Sequence, residues 1–432
     1  MTRRDFLWIM SMSAAGFVVG CATDPVTGRQ QLMLVSEAQE IQIDKQYAPI
    51  QFSSDYGTVQ DRQLNAYIAQ TGEKMAARTH RPAMPYSFRA VNANYVNAYA
   101  FPGGSIACTR GILLSLDNEA ELSALLGHEL GHVNARHTAE QMSKAMLTQA
   151  VVGGVSAFAG TQGAVYGQLA SQVGTIGAGA LLASYSRENE READALGMEY
   201  IVRTGYSPEG MIGLMDMLRS LSKSKPSTIE LMFATHPMSD ERYRTAVQRA
   251  QTEYKTAKNL PLNRERYMDN TARLRSLKGA IEEMQKGEQM MMQKKYDNAE
   301  TQFKKALKLA PRDYTGLVMM STCQLVKKKY RRGINFAERA QQVYPQEAQA
   351  YHLSGFAKIQ IKDFEGAYQE FDTYERLLPG NPNTIFFKGY TQERMQHIQE
   401  AANDYHRYLK MVQGGDKAKY AYQKLRQWGY YK

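Results

Sequence analysis

Three side chains on one short stretch have the types and spacing for metal-assisted hydrolysis. In NEAELSALLGHELGHVNARH, residues 118–137, His128 and His132 lie four apart and Glu129 follows the first histidine. Leu122, Leu125, Leu126, Leu130 and Val133 recur at helical spacing, and Asn118 with Glu121 three residues on forms a capping-box-like start. On a helix, positions i and i+4 stand roughly 6 Å apart on one face, so both imidazoles can grip one tetrahedral zinc ion. Glu129 is turned about 100° from His128, placed to take a proton from water on the metal rather than to bind the ion. The helix is expected to continue to about Leu147, which turns His137 away from the two ligands and makes it second-shell or structural.

A third ligand is expected from SYSRENEREADALGMEY, residues 184–200. Ser186 is a good N-cap, and the helix should stop at Gly205. Glu190 can complete a His₂Glu set that leaves the fourth position to water. Asp194, one turn on, can hold the second ring N–H of a ligand histidine. Glu188 and Glu192 read as acidic decoration of a helix start. Further on, FATHPMSDER (residues 233–242) puts His236 in a loop before a helix capped by Ser239. His236 could donate a hydrogen bond in the transition state, silence the site as a fourth ligand, or simply pack the loop.

Around these residues the chain alternates helix and strand. Helices are expected from Ser36 to about Tyr47, over Val59–Arg78, and from Ser207-Pro208 to about Ser222, with a strand at Tyr86–Val91. A second extended segment, residues 94–113, is broken by Pro102-Gly103-Gly104. Its second part, Ser105, Ile106, Ala107, Cys108 and Thr109, is the candidate edge strand to which an extended substrate would add, the alternative being an internal hairpin. Residues 148–183 are rich in Gly and Ala. They suit two closely packed small-residue helices over the site or a mobile lid, and their apolar runs are too interrupted to span a membrane.

The N-terminus reads as a targeting segment. Arg3 and Arg4 precede an apolar run, Phe6–Val19, that ends in Val18-Val19-Gly20-Cys21. This is similar to a bacterial lipobox, with cleavage before Cys21 and lipidation of its thiol. The Arg pair suits twin-arginine export or ordinary secretion equally. Cys108 and Cys323 remain, too few and too far apart for a disulfide framework, and are expected as buried free thiols. The net charge is +10, and residues 271–432 alone carry net +11. The excess is therefore local, which argues against a nucleic-acid-binding role for the whole chain.

That basic part repeats every 34 residues: Tyr296, Tyr330, Phe364, Ile398; Ala299, Gly333, Ala367, Ala401; Gly287, Ser321, Gly355, Gly389; Pro311, Pro345, Pro379. Small residues mark close helix crossings, aromatics fill between them, and the prolines end the second helix of each unit. The pattern is similar to tetratricopeptide repeats, four of them between 280 and 415, with 416–432 as a capping helix. Lys327-Lys328-Lys329 and Arg331-Arg332 suit acidic partners or anionic lipid headgroups, or else a solvated face.

Taken together, His128-Glu129-Leu130-Gly131-His132, Glu190-Arg191-Glu192-Ala193-Asp194, NAYAFPGG at 97–104 and Thr235-His236-Pro237 resemble the BepA/HtpX-like zinc metallopeptidases, the family that includes the CAAX prenyl proteases. The resemblance spans roughly residues 22–257. It implies a zincin-type fold in an α+β, mainly helical chain: signal peptide 1–20, metallopeptidase domain 21–265, all-α repeat solenoid 280–432. It makes His128, His132 and Glu190 the ligands of one Zn²⁺ per chain and Glu129 the catalytic residue. It also implies a periplasmic endopeptidase that cleaves unfolded or misassembled envelope proteins, while the lipobox, followed by Ala22 rather than Asp, implies a lipid anchor in the inner leaflet of the outer membrane. The repeats would recruit protein or peptide substrates or envelope assembly machinery. The alternative is a chaperone or assembly adaptor whose solenoid is the main activity and whose proteolysis is latent.

Overall fold

The computed structural model describes residues 21–144, 185–224, 226–412 and 414–431. The expected signal peptide and the Gly-rich stretch 148–183 lie outside the described residues. Cys21 opens a short strand, β1 (Cys21–Thr23), paired antiparallel with β2 (Gln30–Leu32). Helix α1 (Glu37–Ser54) starts at Ser36 with a capping box to Gln39 and runs through Pro49, past the expected end at Tyr47. Burying Tyr47, Ala48, Gln51 and Phe52 on one face outweighs the backbone hydrogen bond that the proline removes. Helix α2 (Arg62–Ala76) follows, its first amides held by Asp61.

The sheet has three strands, β3 (Ser87–Val91), β4 (Ala98–Ala100) and β5 (Ser105–Thr109), in the order β3-β5-β4. β5 runs parallel to β3 and antiparallel to β4. The expected edge strand Ser105–Thr109 is therefore the central strand, which corrects its assignment: Ser105, Ile106, Ala107, Cys108 and Thr109 have both backbone edges paired. The reason is the turn at Phe101–Gly104, where Gly104 adopts φ +102° and folds NAYAFPGG back as a hairpin. The far side of β3 is closed as well, because Val59 N–H donates to Ala90 O and Asn65 Oδ1 accepts from Ala90 N–H. Among the described residues the unpaired edge of the sheet is β4, whose three residues are all buried. Asn97 O and Phe101 N–H point to β5, so the alternation turns Ala98 and Ala100 outward.

After the four-residue helix α3 (Arg110–Leu113) comes α4 (Glu119–Asn134), with every residue buried. Asn118 Oδ1 accepts from Glu121 N–H at 3.0 Å. The helix stops at Asn134 instead of continuing to Leu147, because Arg136 turns left-handed at φ 57°. Its guanidinium is anchored to Glu40 Oε1 at 3.2 Å and Val35 O at 2.7 Å. A fresh helical segment begins at His137.

Helices α5 (Arg187–Arg203), capped by Ser186, and α6 (Glu209–Ser224) pack on α4. They are followed by α7 (Pro226–Thr235), α8 (Asp240–Gln251) and α9 (Arg264–Ser276). Among the described residues no helix is long and apolar enough to cross a membrane. Cys108 and Cys323 are buried free thiols.

From residue 278 onward the chain is a stack of helical hairpins: α10 (Lys278–Met292) with α11 (Tyr296–Leu309), α12 (Tyr314–Val326) with α13 (Tyr330–Val343), α14 (Gln349–Gln360) with α15 (Phe364–Leu377), and α16 (Pro382–Arg394) with α17 (Ile398–Met411). A final helix, α18 (Asp416–Gln427), closes the stack. The small-residue register is explained by contact distances. A Cβ on Gly287 would come within 2.3 Å of the Phe303 ring, and one on Gly355 within 2.9 Å of Phe371. A further register at the same spacing emerges in three dimensions: Lys294, Lys328, Lys362 and Gln396, one in each tight turn, all have positive φ. Non-glycine residues pay roughly 1–2 kcal/mol for that conformation.

The hairpins fold against the N-terminal half. Arg110, 2% exposed, forms a fork on Asp313 at 2.7 and 3.3 Å and donates to Asn94 Oδ1 at 2.7 Å. Gln285 Nε2 donates to Asn94 O, and Thr315 Oγ1 donates to Asn92 O. Ser53 Oγ donates to Glu347 Oε1 at 2.5 Å, and burial pushes the Glu347 carboxyl up to about 7. A carboxyl raised in the folded state favours folding while it is protonated, and that advantage is lost as pH climbs from the ordinary glutamate value, 4.5, through about 7. Glu347→Gln is expected to raise the stability measured by denaturant titration by about 1–3 kcal/mol at pH 8 and by little at pH 4.

Candidate metal centre

Helix α4 places His128, Glu129 and His132 on its buried side, while α5 brings Glu190 and Asp194 against them. The two helices touch almost backbone to backbone. A Cβ on Gly131 would lie 2.8 Å from Ala193 O, and one on Gly197 would lie 2.9 Å from His128 N. Only residues without bulk at Gly127, Gly131, Ala193 and Gly197 allow that approach, so the Glu190 carboxylate reaches both histidines. Its oxygens lie 3.3 Å from His132 Nε2 and 3.6 Å from His128 Nε2. His236, in the loop between α7 and α8, adds Nδ1 at 3.3 Å from His128 Nε2 and 3.1 Å from Glu190 Oε1. One ligand atom from each of His128, His132, Glu190 and His236 falls within 4.8 Å of all the others, and all four residues are buried.

Their protonation states can be traced from hydrogen bonds. Asp194 Oδ1 lies 2.9 Å from His128 Nδ1, so that nitrogen carries the proton and Nε2 is a bare lone pair. His137 Nε2 lies 3.2 Å from Glu192 Oε2, which makes it the donor and leaves His137 Nδ1 an acceptor. That acceptor sits 2.9 Å from His132 Nδ1, so His132 donates there and bares its own Nε2. The two Nε2 atoms are 3.1 Å apart. Two lone pairs so directed repel each other unless a cation lies between them.

Charge points the same way. Glu129 and Glu190 are buried carboxylates and Asp194 is half-buried, and among the described residues the guanidinium that pairs with them is Arg242, with Nε 2.6 Å from Asp194 Oδ2 and Nη1 2.6 Å from Glu190 Oε2. Burial alone would raise the Glu190 pKa, but His236 and His128 hold the carboxyl far below the usual range. Burial likewise works against Asp194, yet Arg242 keeps it ionised. Burial drives His132 well below the normal histidine value, so it is neutral. For His128 burial is outweighed by Asp194 and Glu190, which raise its pKa, so a proton and a cation compete for the Nε2 lone pair. Glu129 has neither oxygen hydrogen-bonded, and burial raises its pKa. Imidazole nitrogens turned to one point beside the ionised Glu190 carboxylate are the donor set a divalent cation such as zinc takes. The residues fit a bound metal.

Among the residues singled out from sequence, the structure brings together His128, Glu129, His132, Glu190, Asp194 and His236. His137 also joins them, through the break at Arg136 that swings its ring back to His132. Ser105–Thr109 does not face the cluster with a free edge; β4 lies between β5 and α4. Burial and the charge of Glu129 both push the Cys108 thiol up. Sequence reasoning missed Arg242, although its position three residues after the Ser239 cap put it in the first turn beside His236. It also missed Tyr185, whose ring stacks on His132 at 3.8 Å and 17°, and the part of Glu192 in orienting His137.

Residues 62–250 match the family model for peptidase family M48. The chain is 34% identical over 199 residues to the beta-barrel assembly-enhancing protease of Yersinia pestis, covering 44% of this chain and 40% of that one. It is 30% identical over 246 residues to the metalloprotease LoiP of Escherichia coli K12, covering 54% of this chain and 92% of LoiP. The chain thus spans less than half the length of the first relative and nearly all of the second. A solved thermophilic TPR protein of Thermus thermophilus is 17% identical, with a TM-score of 0.30, over 35% of this chain and 83% of that one.

Gly131→Ala is expected to force α4 and α5 apart, costing about 1–3 kcal/mol of stability. Metal affinity, read by competition with a chromogenic chelator, should fall about 10–100-fold as Glu190 and Asp194 withdraw.

Proposed function

Because the chain belongs to peptidase family M48, we propose that it is a zinc-dependent endopeptidase of the bacterial cell envelope, with His128, His132 and Glu190 holding one Zn²⁺. The observation that carries this reading is the convergence of two bare imidazole nitrogens and an ionised carboxylate beside a buried glutamate with no hydrogen-bond partner. Zinc held there supplies Lewis acidity, polarising the scissile carbonyl and acidifying the attacking water.

The chain's own residues do the rest. Glu129, its pKa raised by burial, takes the proton from the attacking water and returns it to the leaving amine. Asp194 and Arg242 hold His128 and Glu190 in place, and Glu192 with His137 fixes the tautomer and angle of His132. Substrate adds as a strand to the open edge of β4, with Ala98 and Ala100 offering their outward N–H and C=O groups. His236, with Nδ1 3.3 Å from His128 Nε2 and Nε2 3.8 Å from Glu129 Oε1, would stand as a gate beside a bound ion and would give way to substrate.

Substrates are unfolded or misassembled envelope proteins, and the hairpin stack recruits them or an envelope assembly partner. The name of the Yersinia relative supports that class. The mature chain is anchored through lipidated Cys21 to the periplasmic leaflet of the outer membrane.

Glu129→Gln should keep about one zinc per chain by elemental analysis and lose about 10²–10⁴-fold in cleavage of an unfolded protein such as casein. His236→Ala should cleave faster than the parent chain. Unchanged cleavage in Glu129→Gln would sink the mechanism. Full cellular function in that variant would make the chain an adaptor.

A further inference from the structure

Away from the metal centre, exposed cations and exposed apolar side chains coincide in the tight turns of the first two hairpins. The first turn reads Met292-Gln293-Lys294-Lys295. The second reads Val326-Lys327-Lys328-Lys329 and continues to Arg331-Arg332. Met292 is 69% exposed and Val326 44%, and they hold the same register one repeat apart. The turns are stacked on one edge. Lys327 Nζ is paired with both Asp297 and Glu300 of the preceding hairpin, and Cys323 Sγ faces Tyr296 O at 3.5 Å.

Those contacts also consume the acidic groups of this edge, since Glu300 is shared with Lys304 at 2.7 Å. Lys294, Lys295, Lys328, Arg331 and Arg332 are exposed and have no ion-pair partner among the described residues. Lys294 and Lys328 occupy left-handed positions, φ 59° and 57°, where glycine would sit without strain. Exposed Leu231 of α7 and Met292 line the same cleft of about 520 Å³, so the apolar surface continues onto the neighbouring helix. The third turn in the same register, Gln360-Ile361-Lys362-Asp363, has no such excess, and the feature ends there.

We propose that this edge docks on an anionic lipid bilayer, with Met292 and Val326 entering the headgroup boundary and the surrounding cations binding headgroup phosphates. An acidic peptide would be held in a groove with its side chains matched one by one. Here the exposed Met292 and Val326 are spread over two turns that also carry the exposed Lys294, Lys295 and Lys328, an arrangement that suits a flat, deformable, negatively charged surface. The surface would turn the first two hairpins to the membrane. It acts without the metal centre, so its failure leaves the peptidase reading untouched.

The test is co-sedimentation of the purified full chain, carrying Cys21→Ala to remove any acyl group, with phosphatidylcholine vesicles with and without phosphatidylglycerol. Binding should require phosphatidylglycerol and weaken as salt rises. Reversing Lys294, Lys295, Lys328 and Arg331 to Glu should reduce partitioning by about tenfold or more. An equal reversal at the distant exposed Lys223, Lys255, Lys410 and Lys419 should leave it near the parent level. Met292→Ser with Val326→Ser, which keeps every charge, should weaken binding that survives at high salt. Equal binding to both vesicle types, undiminished binding of the turn variant, or equal loss in the distant variant would each overturn the proposal.

Discussion

The contact between α4 and α5 is the constraint on which the rest depends. Two helices that carried ordinary side chains at their crossing would stand roughly 8–10 Å apart, axis to axis. A carboxylate as short as Glu190 could not then reach two histidines on the facing helix. Gly127, Gly131, Ala193 and Gly197 remove the obstruction, and the backbone of α5 comes within van der Waals contact of the backbone of α4. The complete burial of α4, with Leu122, Leu125, Leu126 and Leu130 at 0% exposure, holds that geometry rigid from the other side.

Bringing so many polar groups into a buried space carries its own electrostatic cost, and the cluster is arranged to need a cation. Arg242 neutralises part of the charge, forked between Asp194 and Glu190. Breaking such a buried pair on one side costs about 3–5 kcal/mol, because the partner stays buried and charged. Each of the two α4 histidines also donates one ring N–H to an acceptor, His128 to Asp194 and His132 to His137. The lone pairs that remain are turned to a single point. Stability of the closed arrangement and affinity for a metal are therefore two faces of the same packing.

The hairpin stack is more than an appendage. The first helices of its first two units press on the N-terminal half, and the fork from Arg110 to Asp313 ties the end of β5 to the start of α12. The same helices bound the cleft beside α7, the element that leads directly into His236. The hairpin stack and the loop that carries His236 therefore meet at one helix, α7.

Much of this was legible along the chain. His128, Glu129 and His132 could be read from spacing because an α-helix converts i, i+4 into one face without outside help. The 34-residue repeat could be read because each hairpin packs mainly on its sequence neighbours. Glu190 and Asp194 were readable as a pair one turn apart, but their arrival at the histidines required Gly131 to meet Ala193. The edge strand was misplaced, since NAYAFPGG folds back and pairing order in a sheet is set by the hairpin, not by chain order. The break at Arg136 was equally hidden: it depends on Glu40 and Val35, nearly a hundred residues away, and it alone turns His137 toward His132. Local periodicity determined which residues share a helix face. Only tertiary contacts decided how they meet, because a helix sets the relations among its own side chains and none of those between its neighbours.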